Sequence, residues 1–123
     1  MTTVLVVEDD ERVARAIART LKGLVDVVIA PSFERAVHAL ETRRDLRAVL
    51  ADVRLADGSS GIDAVSDILV AFDVPVIFIT AYPERLLSGE RPEPAYLITK
   101  PFLADTVKAT IGQALFFHGG ARP

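Results

Sequence analysis

The sequence predicts an α/β fold: an open, doubly wound sheet of five parallel strands. Three observations predict it. Short β-branched runs alternate along the chain with longer stretches whose apolar residues recur every three to four positions. Most of those runs are apolar on consecutive residues, as strands covered by helices on both faces are. Polar and charged residues gather where the runs end, and ligands of open α/β sheets sit at the carboxyl ends of the strands. With 123 residues the chain fits one domain that buries roughly two-thirds of its unfolded surface, and it is too short for a (β/α)₈ barrel of about 250 residues.

The elements follow in order. Residues 4–7 form the first strand, and Val13, Ile17 and Leu21 mark the helix after it. Residues 25–29 form the second strand. A second helix starts after Pro31 with Ser32 as its N-cap and carries Phe33, Val37 and Leu40. Residues 48–51 form the third strand, and a third helix carries Ile62, Val65, Ile68, Leu69 and Phe72. Ser60, with Asp63 three residues on, makes a capping-box-like start for it. Residues 76–79 form the fourth strand, after which Pro83, Gly89, Pro92 and Pro94 leave room only for a short helix around 84–88. Residues 96–98 form the fifth strand. The last helix carries Val107, Ile111 and Leu115, and Gly119 and Gly120 end it. The domain is therefore expected over 1–118, with a flexible tail over 119–123.

Composition narrows the function classes. There is no cysteine, which excludes a disulfide scaffold, a thiol nucleophile and any cysteine-based metal centre. Net charge is −3, and the 14 cations are scattered, which argues against direct nucleic-acid binding. No apolar stretch approaches the roughly 20 residues a membrane span needs. Glu8, Asp9, Asp10 and Glu11 fall where a signal peptide would place its apolar core, so a cytoplasmic location is expected.

The strand ends carry the chemistry. Strand one runs into Glu8, Asp9 and Asp10, strand three into Asp52, strand four into Thr80 and strand five into Lys100. Given a strand order of 2-1-3-4-5, strands one and three are neighbours at the switch point, and Glu8, Asp9 and Asp52 converge there. Two carboxylates about 4 Å apart repel by roughly 4 kcal/mol at an effective dielectric of 20. A hard divalent cation answers that repulsion, and Mg²⁺ suits one or two carboxylates with waters and a phosphoryl oxygen. Lys100 adds a second positive charge and Thr80 a hydroxyl donor. Together they describe a phosphoryl group held on an Asp52 oxygen. Asp10 and Glu11 are open between this site and simple helix capping. His38 and His118, away from every strand end, read as solvated.

VLVVEDD at 4–10, VLADVRL at 49–55, VPVIFITAY at 74–82 and YLITKPF at 96–102 resemble the receiver domains of two-component response regulators, over nearly the whole chain. The resemblance implies the flavodoxin- or CheY-like architecture with strand order 2-1-3-4-5. It also implies Asp52 as phosphoacceptor, Glu8 and Asp9 as the metal-binding acidic pair, and the backbone carbonyl of Arg54 as a further metal ligand. Thr80 would be the switch hydroxyl, Lys100 the phosphate-binding amine, and the Lys100–Pro101 bond cis. The implied donor is a phosphohistidine on a sensor histidine kinase or a histidine phosphotransfer protein. Beyond phosphorylation and dephosphorylation of Asp52, no enzyme activity is implied.

DGSSGIDAV at 57–65 and the segment 78–102 resemble more closely the receivers of the alphaproteobacterial general stress response, the PhyR type, in which a sigma-factor-like domain precedes the receiver. No such segment precedes the motifs here. A single-domain regulator is therefore expected, signalling to an unknown downstream protein either as a phosphoryl sink or shuttle or as an allosteric partner binder; the alternative is a receiver excised from a longer stress regulator. A monomer is expected, with a dimer left open. The chain also departs from ordinary receivers at Leu97, where an aromatic switch residue usually stands three positions before the Lys; Tyr96 lies one residue earlier, and Tyr82 is the aromatic to watch. Thr80 is expected to move toward the phosphoryl group and to carry residues 82–88 with it, while Arg54 and Tyr82 slow hydrolysis by their bulk.

Two rivals from other classes fit less well. A haloacid-dehalogenase-like phosphatase would place a second Asp two residues after its nucleophile, where this chain has Arg54. A mononucleotide-binding module would show a G-x-G-x-x-G or Gly-Lys-Ser/Thr loop, whereas Gly58, Ser59, Ser60 and Gly61 read as a turn and cap.

Overall fold

The computed structural model describes residues 2–52, 72, 74–80, 96–99 and 101–120, of which 80 and 117–120 are described as backbone only. Five strands form one sheet: β1 (Thr3–Val7), β2 (Asp26–Ala30), β3 (Leu46–Asp52), β4 (Val76–Thr80) and β5 (Tyr96–Thr99). Their order is β2-β1-β3-β4-β5, and every pairing is parallel. Three helices are described, α1 (Glu11–Leu21), α2 (Phe33–Thr42) and α3 (Ala104–Gly120). This is the doubly wound, CheY-like receiver fold expected from the sequence. The third helix expected on Ile62 to Phe72, its cap at Ser60 and Asp63, and the short helix around 84–88 lie outside the described residues, Phe72 excepted.

Strand alternation divides the core into two layers. Leu5, Val7, Val49, Ala51, Val76 and Phe78 face α2 through Ala36 and Leu40, with Phe72 and Leu97 packed at the margin. Val4, Val6, Ala48, Leu50, Ile77, Ile79 and Ile98 face the opposite way, onto Ile17 and Leu21 of α1 and Val107, Ile111 and Ala114 of α3. Burying one such side chain is worth about 1.5–3 kcal/mol, so the central strands β1, β3 and β4 are clamped from both sides.

β2 departs from the expectation of continuous burial. Asp26 and Ile29 are exposed along it, because β2 is an edge strand with a neighbour on one side only. The strand also begins one residue later than the apolar run does. Val25 is buried ahead of it, in the turn that Gly23 opens with a φ of 83°. That left-handed conformation lets the amides of Leu24 and Val25 return to the carbonyl of Leu21 and closes α1 in the manner of a glycine cap. In α3 the fully buried third position is Ala114, with Leu115 at the edge of the core. The helix runs through Gly119 to Gly120, while residues 121–123 of the expected tail lie outside the described residues. Among the described residues no helix is long and apolar enough to cross a membrane.

Candidate functional site

The site is built at the carboxyl ends of β1 and β3. Val7 is paired in register with Ala51, so the next residues, Glu8 and Asp52, come side by side at the carboxyl ends of the two strands. Glu8 continues the β1 ladder: its N–H donates to the carbonyl of Ala30 at 3.0 Å. Its side chain is only 3 % exposed, against the half-buried Asp52 and the exposed Asp9. One Glu8 oxygen, Oε2, accepts from the Asp10 N–H at 3.0 Å. The other, Oε1, is sealed from solvent, as is Asp52 Oδ1.

Burial pushes the Glu8 carboxyl up from its ordinary 4.5 to about 8, the neighbouring Asp52 carboxylate adds to the rise, and the Asp10 N–H pulls against it. Desolvation and like charge both disfavour the ionised acid. At neutral pH the pair therefore retains a proton that two exposed carboxylates would have lost, and a cation placed there would displace it. Among the described residues no three acidic or imidazole side chains are grouped as a ready-made cage. Mg²⁺ does not call for one, since it binds through one or two carboxylates and keeps waters for the rest of its octahedron. All the donors here are hard oxygens, and the residues fit such an ion.

Asp10 proves to be a helix cap. Its Oδ1 accepts from the Arg12 N–H at 2.9 Å, and its extended backbone turns the chain into α1. Its own amide as the donor to Glu8 was not legible from the sequence, because backbone donors carry no residue-type signal.

The remaining predicted positions are placed unevenly. Asp52 pairs in register with Ile79, and Thr80, which closes β4, pairs with Thr99 of β5. Lys100 would leave β5 directly after Thr99; it, Arg54 and Tyr82 lie outside the described residues, as do the Thr80 side chain and the Lys100–Pro101 bond. Tyr96 and Leu97 open β5 and are half-buried on opposite faces, Tyr96 with the α1 and α3 layer and Leu97 with the α2 layer. The position where an aromatic switch residue was looked for is thus held by an aliphatic side chain in register with Phe78.

The receiver domain is the class that this sheet order and this acidic crevice define. The family model of the response regulator receiver domain matches residues 4–112, and the chain belongs to that family. Within it the chain is 51 % identical to the phyllosphere-induced regulator PhyR of Methylorubrum extorquens, over 98 % of this chain and 46 % of the relative. The solution structure of the Erythrobacter litoralis PhyR receiver is 54 % identical with a TM-score of 0.79, covering 94 % of this chain and 91 % of that one. The crystal structure of the anti-anti-sigma factor PhyR from Bartonella quintana is 52 % identical with a TM-score of 0.83, covering 98 % and 49 %. The chain spans about half the length of the curated relatives it matches.

Proposed function

We propose that the domain takes a phosphoryl group onto Asp52 from a phosphohistidine, on a sensor histidine kinase or a histidine phosphotransfer protein, and signals by contact with another protein. The observation that supports this reading is the half-buried Asp52 carboxylate set against the buried Glu8, whose pKa is raised to about 8. An acid pair held under that strain is useful when a cation and an anionic group are to be bound together. Glu8, Asp9, Asp52 and the Arg54 carbonyl would hold Mg²⁺, which when bound neutralises charge on the phosphoryl oxygens.

In the transfer, an Asp52 carboxylate oxygen attacks phosphorus. The new P–O bond forms as the P–N bond to the donor histidine breaks, and the imidazole leaves neutral after taking up a proton. The Lys100 ammonium pairs with one phosphoryl oxygen and the Thr80 hydroxyl donates to another. Movement of Thr80 then carries the Tyr82 segment and resets the surface around Tyr96 and Leu97. A tenfold shift in such an equilibrium takes about 1.4 kcal/mol of differential contact, within reach of one or two charge-assisted hydrogen bonds. The similarity to PhyR, a stress response regulator, supports a role in a general stress response.

Intact mass after incubation with Mg²⁺ and acetyl phosphate tests the reading. One phosphoryl adduct is expected on the wild type, none with the cation chelated and none on Asp52→Asn. An adduct that survives in Asp52→Asn would place the chemistry elsewhere. Output is read next: phosphoryl passed stoichiometrically to a transfer protein marks a shuttle, and a complex made only by the phosphorylated form marks an allosteric binder.

A further inference from the structure

We propose that Asp10 is a positioning residue for Glu8, acting through the N-terminal cap of α1. The inference rests on the functional reading above and names a residue that neither ligates nor reacts in it. Three contacts meet at Asp10. Its Oδ1 accepts from the Arg12 N–H at 2.9 Å, which starts α1 while Asp10 itself stays extended at φ −86° and ψ 111°. Its N–H donates to Glu8 Oε2 at 3.0 Å. Its carbonyl accepts from the Ala14 N–H at 3.0 Å, as the first turn of the helix requires.

The direction of the Asp10 N–H is therefore set by the cap. The side chain selects the backbone conformation, and the backbone aims the amide at Glu8. With its own N–H tied to Ala30, Glu8 is held at the main chain by β2 and at the carboxylate by Asp10. Oε2 is occupied, and Oε1 is kept in the crevice with Asp52 Oδ1, both sealed from solvent. Without the cap, the Glu8 carboxylate gains rotamers that turn it out of the crevice, and the entropy of ordering it falls on the cation. The Asp10 carboxylate is spoken for by the Arg12 amide, with the Arg12 guanidinium 3.8 Å away, so it acts by geometry and not as a ligand.

Magnesium is titrated, with no phosphodonor present, into ¹⁵N-labelled full chain and followed by the amide signals of residues 8–10. Asp10→Ala is expected to raise the half-saturating concentration about tenfold, the scale of one lost charge-assisted hydrogen bond. Asp10→Asn caps as well as Asp and is expected to stay within about twofold of the wild type. Ser32→Ala removes the corresponding bond, from the Arg35 N–H to Ser32 Oγ at 3.1 Å, at the start of α2. It is expected to lower the melting temperature comparably and leave the titration unchanged. If Asp10→Ala does not fold, Asp10→Gly serves, since Gly is tolerated at the cap but lacks the oxygen.

The proposal is overturned if the uncapped variant titrates like the wild type, if Asp10→Asn is as weak as Asp10→Ala, or if Ser32→Ala shifts the titration equally. It is also overturned if the wild type binds no cation. Failure of phosphoryl loading with cation binding and its Asp10 dependence intact would strike at the functional reading alone.

Discussion

β3 carries an aspartate at each end, and the two live in opposite electrostatic worlds. Asp45, just before the strand begins, is exposed and gripped by Arg43: Nε donates to Oδ1 at 3.0 Å and Nη2 to Oδ2 at 2.7 Å. That guanidinium holds the Asp45 carboxyl below its ordinary range. Asp52, at the other end, is half-buried beside a buried carboxyl that its presence helps drive up to about 8. One end joins opposite charges in water, where an ion pair is worth little. The other sets two acids together away from water, where a second charge is costly enough that the pair keeps a proton at neutral pH and where such an arrangement persists only if something else profits from it. The contrast marks the carboxyl end of the sheet as the candidate site without reference to any relative.

The largest effect expected from breaking this contrast is at Asp52. Asp52→Asn abolishes the phosphoryl adduct in intact-mass measurements, yet above about pH 8, where Glu8 has lost its proton, it relieves the like-charge contact, so its melting temperature in chelator there rises above the wild type by a few degrees. A melting temperature that falls instead would mean the acid pair is not strained.

Next in size is the pH dependence through Glu8. Its folded-state pKa is raised, so the native state holds the proton longer than the unfolded chain does. The stability this contributes is full below about pH 4.5 and is lost as pH rises to about 8. The slope from this one group approaches about 1.4 kcal/mol per pH unit within that window. Denaturant melts in chelator across the window measure it, and Glu8→Gln flattens the curve.

Saturating Mg²⁺ sharpens the same comparison. At a hundredfold excess over its dissociation constant it adds about 2.7 kcal/mol to unfolding. The gain is expected to grow as pH rises toward 8, where cation and proton no longer compete, and to shrink in Glu8→Gln. A gain independent of pH would separate the cation from the acid pair.

The smallest effect lies at the opposite end of the strand. Arg43→Ala is expected to leave the melting temperature at pH 7 within error of the wild type, because both partners are in water. Asp45 has a depressed pKa, so its contribution is present above its ordinary 3.8 and lost as pH falls below it. In the double comparison at acid pH the Arg43→Ala variant and the wild type converge.

Much of the fold was legible because it is written in local periodicity. The consecutive apolar runs at Val4–Val7 and Val76–Ile79 mark strands covered on both faces, and Ser32 announces a helix start by chemistry that acts over three residues. β2 shows the limit of such patterns: the run at 25–29 reads as a strand like the others, yet Asp26 and Ile29 along it are exposed. Only its position at the sheet edge leaves Ile29 in water. In α3 the spacing of Val107, Ile111 and Leu115 names the right face, and packing decides how deep each position goes: Ala114 is fully buried while Leu115 packs at the edge of the core.

At the candidate site, the residue types were readable, and their convergence followed once a strand order was given; their burial and hydrogen bonds were not readable. Glu8, Asp9 and Asp52 stand out as acids at strand ends, and residue chemistry alone asks for a cation among them. That Glu8 and Asp52 are adjacent depends on the parallel register of Val7 with Ala51, two segments more than forty residues apart that no local pattern aligns. Likewise the Asp10 amide reaches Glu8 only because an N-cap holds it extended. The sequence by itself determined the alternation of elements, the segment each belongs to and the acids available, since these follow from propensities and spacings that act along the chain. The tertiary structure alone decided how deeply each position is buried and how high the packing of Glu8 beside Asp52 raises the Glu8 carboxyl, since burial and charge depend on what the folded chain brings near.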